Sequence, residues 1–136
     1  MIKCTTLNKI MKLKINLYGD AFLHNLVDGH ISSTDNQSSN FIEFVTDSSG
    51  EINLFVDSGI YEIKEFGSHK KNYGWLLESK SIRPDIYEYF LKDTRTKIAP
   101  FEKIFTHNDD LLQKNSKFEF AHPIGFWVKT DINLEK

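Results

Sequence analysis

Short apolar segments separated by polar turns follow one another along the chain. Leu13–Tyr18 alternates apolar and polar residues, the period-two pattern of a strand with one buried face. Residues 52–57 form a second predicted strand. Residues 73–78 form a third, whose almost continuous apolar character suits a strand covered on both faces. Two brief strands are predicted at 104–105 and 118–121.

Two segments between these strands are less regular. Residues 28–40 are the most polar stretch, and their Ser, Asn and Asp content predicts an exposed loop. The loop is longer than most connections, so it is expected to be either mobile or functional. Residues 41–45 are apolar but short, and the pattern there leaves helix and strand both open.

Helix signals are concentrated in the second half of the chain. Proline is tolerated in a first helical turn and an acid there complements the helix dipole, so Pro84 and Asp85 predict a helix start. The helix would present an apolar stripe formed by Ile86, Tyr89 and Phe90. Asn108 can cap a second, shorter helix.

Strands that alternate with helices or long connections favour a mostly parallel sheet. We therefore predict an α/β, Rossmann-like fold with four to six strands. Ligands of such sheets bind beyond the carboxyl ends of the strands. This rule directs attention to four residue pairs that each follow a predicted strand: Gly19-Asp20, Asp57-Ser58, Glu78-Ser79 and His107-Asn108.

Composition narrows the class of protein. A chain of 136 residues suits one domain, and eleven phenylalanines supply a substantial core. The 17 basic and 19 acidic residues give a net charge of −2, which offers no electrostatic basis for binding nucleic acid. No apolar run approaches the roughly 20 residues that span a bilayer.

The first ten residues differ from the rest. They predict a disordered leader without the apolar core of a signal peptide, and Met11 is a possible true start of a domain covering 11–136. Cys4 is the single cysteine, so an intrachain disulfide is excluded. We expect a cytoplasmic protein.

Glu78 is the clearest candidate for acid–base chemistry. A carboxylate at the end of an apolar strand is expected to be desolvated, which raises its pKa toward the range of a general base. The alternative is a solvated acid that pairs with Lys80 or caps the next helix.

A metal site is a weaker hypothesis. Histidine and carboxylate side chains bind several transition metals, and His107, Asp109, Asp110 and His122 offer them. Their spacing matches no strong motif, and the two aspartates equally suit the first turn of a helix. The sequence also lacks a glycine-rich phosphate loop and a Gly-x-Ser-x-Gly nucleophile turn.

Four blocks resemble a known family. They are residues 12–24, 71–84, 102–112 and 123–129, in that order. Together they are similar to the N-terminal part of fucosyltransferase-like proteins of glycosyltransferase family 10, especially the forms found in viral and marine microbial sequences.

The resemblance implies a specific role. Members of that family have two Rossmann-like domains that face a cleft in the GT-B arrangement. The N-terminal domain takes the acceptor sugar and the C-terminal domain holds the nucleotide-sugar donor. The chain would thus be the acceptor-binding half of an inverting glycosyltransferase in glycan biosynthesis, inactive alone and binding no cofactor itself. GDP-fucose would be the donor, held by a separate C-terminal domain whose glutamate-rich block and Tyr-Trp-Gly segment this sequence lacks.

The resemblance also assigns a catalytic residue, because Glu78 matches the proposed base. Binding of the glycan acceptor is expected of Ser79, Asp20, His24 and Trp127, whose aromatic ring could stack on a sugar. Two alternatives remain open. One is a non-catalytic sugar- or protein-binding module derived from such an enzyme, and the other is a small metal-dependent hydrolase that uses His107, Asp109 and His122.

Overall fold

The computed structural model describes residues 11–19 and 41–122, and its centre is a six-stranded sheet. All five pairs of neighbouring strands are parallel. The strands are β1 Leu13–Tyr18, β2 Ile42–Val45, β3 Ile52–Val56, β4 Lys71–Trp75, β5 Lys103–Thr106 and β6 Phe118–Phe120. A 3₁₀ helix, Asp57–Glu62, follows β3, and the α-helices are α1 Ile63–Phe66, α2 Pro84–Lys92, α3 Thr94–Ile98 and α4 Asp109–Leu112.

The strand order is β2-β1-β3-β4-β5-β6. β2 lies on one side of β1, and the later strands follow in sequence on the other side. This reversal is the mark of a doubly wound α/β sheet, of the variety that begins 2-1-3-4-5. The prediction of a Rossmann-like α/β fold with four to six strands is confirmed.

Three strand predictions needed adjustment. The undecided segment 41–45 contains β2, because Ile42 to Val45 pair in register with Leu13 to Asn16 of β1. β4 begins two residues earlier than predicted and ends at Trp75. It is not covered on both faces: Asn72 and Gly74 are buried, whereas Tyr73 and Trp75 on the other face are half-buried.

The helix predictions hold with one change. α2 begins at Pro84 as predicted, but its fully buried residues are Ile86, Tyr87 and Phe90, while Tyr89 is half-buried. Asn108 caps α4, where its side-chain oxygen accepts a 3.1 Å hydrogen bond from the backbone N–H of Leu111.

The largest cluster of buried hydrophobic residues lies on one face of the sheet. A row of in-register residues crosses it, and helices α2, α3 and α4 supply the opposing side chains. The row consists of Tyr18, Phe55, Gly74, Ile104 and Phe118. Within the row, Tyr18 stacks on Phe55 with ring centroids 4.8 Å apart, and Phe90 of α2 meets Phe118 of the row edge-on at 5.6 Å. Four of the nine described phenylalanines, Phe55, Phe90, Phe101 and Phe118, are buried in this core, whereas Phe41, Phe66 and Phe120 are exposed.

A row of buried asparagines lies one level nearer the amino ends of the strands. Asn16, Asn53 and Asn72 occupy paired positions on β1, β3 and β4. The amide of Asn16 donates to Asn53 at 2.8 Å, and that of Asn53 donates to Asn72 at 2.9 Å. The remaining amide groups bond to the backbone of the segments that precede the strands, at Gly50, Phe66, Gly67 and Pro100. This asparagine ladder holds those segments under the sheet.

Within the described residues, no helix is long and apolar enough to cross a membrane. The predicted leader at 1–10 and the predicted loop at 28–40 lie outside the residues that the structure describes.

Candidate functional site

The carboxyl edge of the sheet is the expected ligand side, and its switch point lies between β1 and β3. There the backbones of the two strand ends are in contact. A Cβ placed on Gly19, which has a φ of 114°, would overlap the carbonyl oxygen of Val56, and one on Gly59 would overlap that of Tyr18. Among the described residues these strand ends are therefore closely packed, and neither glycine could be replaced without displacing the backbone of the other segment.

An open groove lies instead between the segments that follow β4 and β5. It has a volume of about 400 Å³. One wall is formed by Ser79, Lys80 and Ser81, and the other by residues 107–110, that is His107, Asn108, Asp109 and Asp110. The ammonium of Lys80 and a carboxylate oxygen of Asp110 lie 3.7 Å apart, and both side chains are well exposed. Every lining side chain is polar, so the groove suits a hydrogen-bonding ligand.

Glu78 immediately precedes this groove, but its surroundings differ from those expected. The prediction of a desolvated carboxylate is wrong, because β4 ends at Trp75 and the side chain of Glu78 is exposed. Its backbone is held firmly: the carbonyl oxygen accepts a 2.6 Å hydrogen bond from the Tyr87 hydroxyl. The alternative pairing with Lys80 is not found either, since Lys80 pairs with Asp110.

The desolvated carboxylate of this edge is Asp57. Its side chain is 3 % exposed, and its backbone has a left-handed φ of 44°. One oxygen, Oδ1, accepts hydrogen bonds from the backbone N–H groups of Leu77 at 2.9 Å and Glu78 at 3.2 Å. The other oxygen, Oδ2, is buried with no hydrogen-bond donor among the described residues.

Burial raises the pKa of Asp57 above its ordinary value. The hydrogen bonds from the two backbone N–H groups act in the opposite direction, and the charge of Glu78 raises the pKa a little further. The Arg83 guanidinium lowers it, but more weakly than the backbone N–H groups do. Desolvation is the dominant cause, so the fold holds this carboxylate in a costly environment.

Sequence reasoning noted Asp57 as a residue at a strand end but did not select it. The signal was present, because Asp57 follows an apolar strand just as Glu78 was thought to do. What the pattern could not show is where each strand stops. At Asp57 the chain turns at once into the 3₁₀ helix, which places the carboxylate beneath residues 77–78.

A second buried polar atom lies on the β5 side of the groove. Nδ1 of His107 has no hydrogen-bond partner among the described residues, although the ring itself is half-buried and lines the groove. Thr106, directly before it, is fully buried, and its hydroxyl accepts a 3.2 Å hydrogen bond from the backbone N–H of Asn108.

The metal-site hypothesis gains no support. Across residues 11–19 and 41–122, no three His, Cys, Asp or Glu side chains are grouped so that they could hold a metal ion. His107 and Asp109 line the groove, whereas the ring of His122 packs on Phe120 after β6, with centroids 5.2 Å apart.

A surface cluster borders the start of α2. Arg83 donates to both oxygens of Asp85, at 3.1 Å and 2.9 Å, and the Tyr61 hydroxyl donates to Asp85 at 3.0 Å. The hydrogen bonds from Arg83 are the largest influence that lowers the pKa of Asp85 to about 2. Burial, followed by the bond to this carboxylate, raises the pKa of Tyr61 to about 12.

The predicted site residues are distributed as follows. Ser79 is half-buried in the groove wall, next to the exposed Glu78. Asp20, His24 and Trp127 lie outside the described residues, so their predicted roles stay predictions.

Comparison of the chain with protein-family models, with curated proteins and with solved structures found no match in any of the three.

Proposed function

We propose that this chain is the acceptor-binding domain of a fucosyltransferase-like, inverting glycosyltransferase. The observation that carries the proposal is where the resemblance falls in the fold. Block 71–84 contains β4 and one wall of the groove, and block 102–112 contains β5 and the other wall. Two segments that are separate in sequence, and that resemble the same family, thus meet at one groove on the carboxyl edge.

The groove has suitable chemistry for a sugar. Each sugar hydroxyl can both donate and accept a hydrogen bond. The two serine hydroxyls, the Lys80 ammonium, the Asn108 amide and the Asp110 carboxylate together offer both functions. A groove lined by polar side chains fits a polyhydroxyl ligand better than an apolar one.

The proposed reaction uses Glu78 as the base. The acceptor hydroxyl oxygen forms a bond to the anomeric carbon of the GDP-sugar, the bond from that carbon to the phosphate oxygen breaks, and GDP leaves. Glu78 takes the hydroxyl proton. A base within hydrogen-bond reach contributes about 10²–10⁴-fold in rate.

A second candidate is a non-catalytic sugar-binding module, and the exposure of Glu78 favours it. A general base needs a fixed side chain within hydrogen-bond reach of the proton that it removes. In the described residues the backbone of Glu78 is fixed, whereas its carboxylate extends from an exposed position.

Binding is tested first. We would titrate ¹⁵N-labelled chain with galactose, N-acetylglucosamine, N-acetyllactosamine and mannose, and follow amide shifts by NMR. We expect shifts at residues 79–81 and 107–110, lost in Ser79→Ala and retained in Ser116→Ala, a matched change at an exposed serine distant from the groove. Shifts confined to other residues, or none with any sugar, contradict the proposal.

Transfer then separates the two candidates. The chain is mixed with the donor-binding domain of a characterised fucosyltransferase and GDP-fucose, and the fucosylated sugar is measured. Turnover that falls at least 100-fold in Glu78→Gln, with unchanged sugar binding, supports the enzyme. Sugar binding without turnover supports the non-catalytic module.

A further inference from the structure

Asp57 combines three features that a fold does not need for its own stability. It is a buried carboxylate, one of its oxygens has no donor among the described residues, and its backbone is left-handed. A buried carboxylate oxygen without a donor and a left-handed backbone at a non-glycine residue both cost free energy, and such costs are concentrated at functional sites.

The geometry alone does not require a carboxylate. Asparagine tolerates a left-handed φ at least as well as aspartate, and its side-chain oxygen could accept the same two hydrogen bonds from Leu77 and Glu78. What aspartate adds is negative charge. Hydrogen bonds from N–H groups to a charged oxygen are about twice as strong as those to a neutral one.

These two hydrogen bonds hold the residues that directly precede the groove wall. Leu77 and Glu78 lie directly before Ser79, and the same stretch is held from the other side by the hydroxyl of Tyr87, which donates to the Glu78 carbonyl. By accepting these two hydrogen bonds, Asp57 fixes the backbone of Leu77 and Glu78. It thereby positions the Glu78 side chain and Ser79 in the groove wall.

We propose that Asp57 is the positioning residue of the groove, whose charge holds the peptide of Leu77 and Glu78 in the arrangement that binds a sugar. The sugar as ligand rests on the proposed function, whereas the hold on the two N–H groups does not. Asp57 acts through Glu78 and Ser79 and does not itself touch the ligand.

The charged groups around Asp57 define its response to pH. Glu78 on the following segment raises its pKa, Arg83 at the start of α2 lowers it, and the Tyr87 hydroxyl of α2 bonds to the neighbouring carbonyl. Because burial dominates, Asp57 takes up a proton at a higher pH than an ordinary aspartate. Protonation removes the charge assistance from both hydrogen bonds, and the hold of Asp57 on the peptide weakens.

The first experiment follows the amide groups of Leu77 and Glu78 directly and needs no ligand. In ¹⁵N NMR spectra of the wild-type chain, the amide protons of Leu77 and Glu78 are expected to move upfield together as the pH falls, with one midpoint above that of an ordinary aspartate. Asp57→Asn should abolish this titration, and Glu88→Gln, the same change at an exposed carboxylate on α2, should leave it intact. Amides that do not titrate in the wild type, or titrate equally in Asp57→Asn, overturn the proposal.

The second experiment reads the groove. N-acetyllactosamine affinity is measured across the same pH range. We expect it to fall at least tenfold in Asp57→Asn at neutral pH and to lose its pH dependence, while the thermal midpoint is unchanged or higher. Equal affinity in the two proteins overturns the positioning role. If the wild type binds no sugar, the proposed function fails, and the amide titration still decides whether Asp57 controls the peptide.

Discussion

The hydrogen bonding of buried polar groups differs between the two edges of the sheet. At the amino edge, the side-chain amides of Asn16, Asn53 and Asn72 bond to one another and to backbone carbonyls. At the carboxyl edge, Oδ2 of Asp57 and Nδ1 of His107 are buried with no partner among the described residues. Within residues 11–19 and 41–122, the same sheet thus carries a fully bonded polar network at one end and buried polar atoms without a hydrogen-bond partner at the other.

This difference distinguishes buried polar groups that stabilise the fold from buried polar groups that do not. A fully bonded buried network rigidifies and specifies a fold. An unsatisfied buried group only costs stability, so its presence needs another explanation. We infer that the polar groups at the amino edge specify the fold. Those at the carboxyl edge lower its stability, and we relate this loss to the formation of the groove.

The largest expected effect comes from the centre of the asparagine ladder. Asn53→Ala removes one acceptor and two donated hydrogen bonds, and it leaves the side-chain oxygen of Asn72 without that donor. We expect a loss of about 3 kcal/mol in the free energy of unfolding, measured by urea denaturation. The matched control Gln113→Ala, at an exposed position, should change it by less than about 0.5 kcal/mol. A loss below about 1 kcal/mol would remove the contrast between the edges.

The second prediction concerns Asp57, whose replacement is expected to increase the free energy of unfolding rather than lower it. Because the folded state raises the pKa of Asp57, it binds this proton more tightly than the unfolded state does. The stabilising contribution of that proton is present below the ordinary value of 3.8 and is lost as the pH rises through the folded pKa. Asp57→Asn should therefore be more stable than the wild type at neutral pH, with no gain in acid. Denaturation at several pH values measures this, and a destabilised variant at neutral pH would contradict it.

A third prediction concerns Asp85, an exposed carboxylate in the first turn of α2. The pKa of Asp85 is lowered to about 2, so its contribution is present above the ordinary value of 3.8 and is lost as the pH falls through about 2. The side chain is half-exposed, and solvent reduces the effect. Asp85→Asn should cost about 0.5 kcal/mol at neutral pH, and the cost should disappear on acidification. The pH profile of the difference from the wild type is thus opposite in sign to that of Asp57→Asn.

The smallest effect is expected on the surface of α2. Glu88 and Lys92 form an i,i+4 ion pair of 3.2 Å with both side chains largely exposed. Glu88→Gln should cost about 0.3 kcal/mol, and less in high salt. Thermal melting at two salt concentrations checks this value. A cost comparable to that of Asn53→Ala would show that edge position does not control the energetics.

Much of the architecture could be predicted from pattern. Period-two alternation located β1 with its observed bounds, and proline followed by an acid located the start of α2. The pattern could not identify β2, because its four residues become a strand only through pairing with β1. The strand order also depends on pairing between distant segments, which no local signal encodes.

The site was less predictable. Strand-end reasoning named Glu78 and Ser79, which lie beside the candidate groove at the carboxyl edge. It assigned the desolvated carboxylate to Glu78, although the structure places it at Asp57. The cause is an overestimate of the length of β4, since three residues past the strand end are enough to bring a side chain into solvent.

The sequence by itself determined that the chain forms a parallel α/β sheet, because periodicity and helix starts are local properties. Only the tertiary structure decided which polar residues are bonded and which are not. Asn16, Asn53 and Asn72 are unremarkable in the sequence and become one network only when three strands align in register. Asp57 becomes a buried, strained carboxylate only because the chain turns sharply after β3 and a later segment covers it. Burial of a charge is a property of everything packed around it, and that surrounding is assembled from residues far apart in the chain.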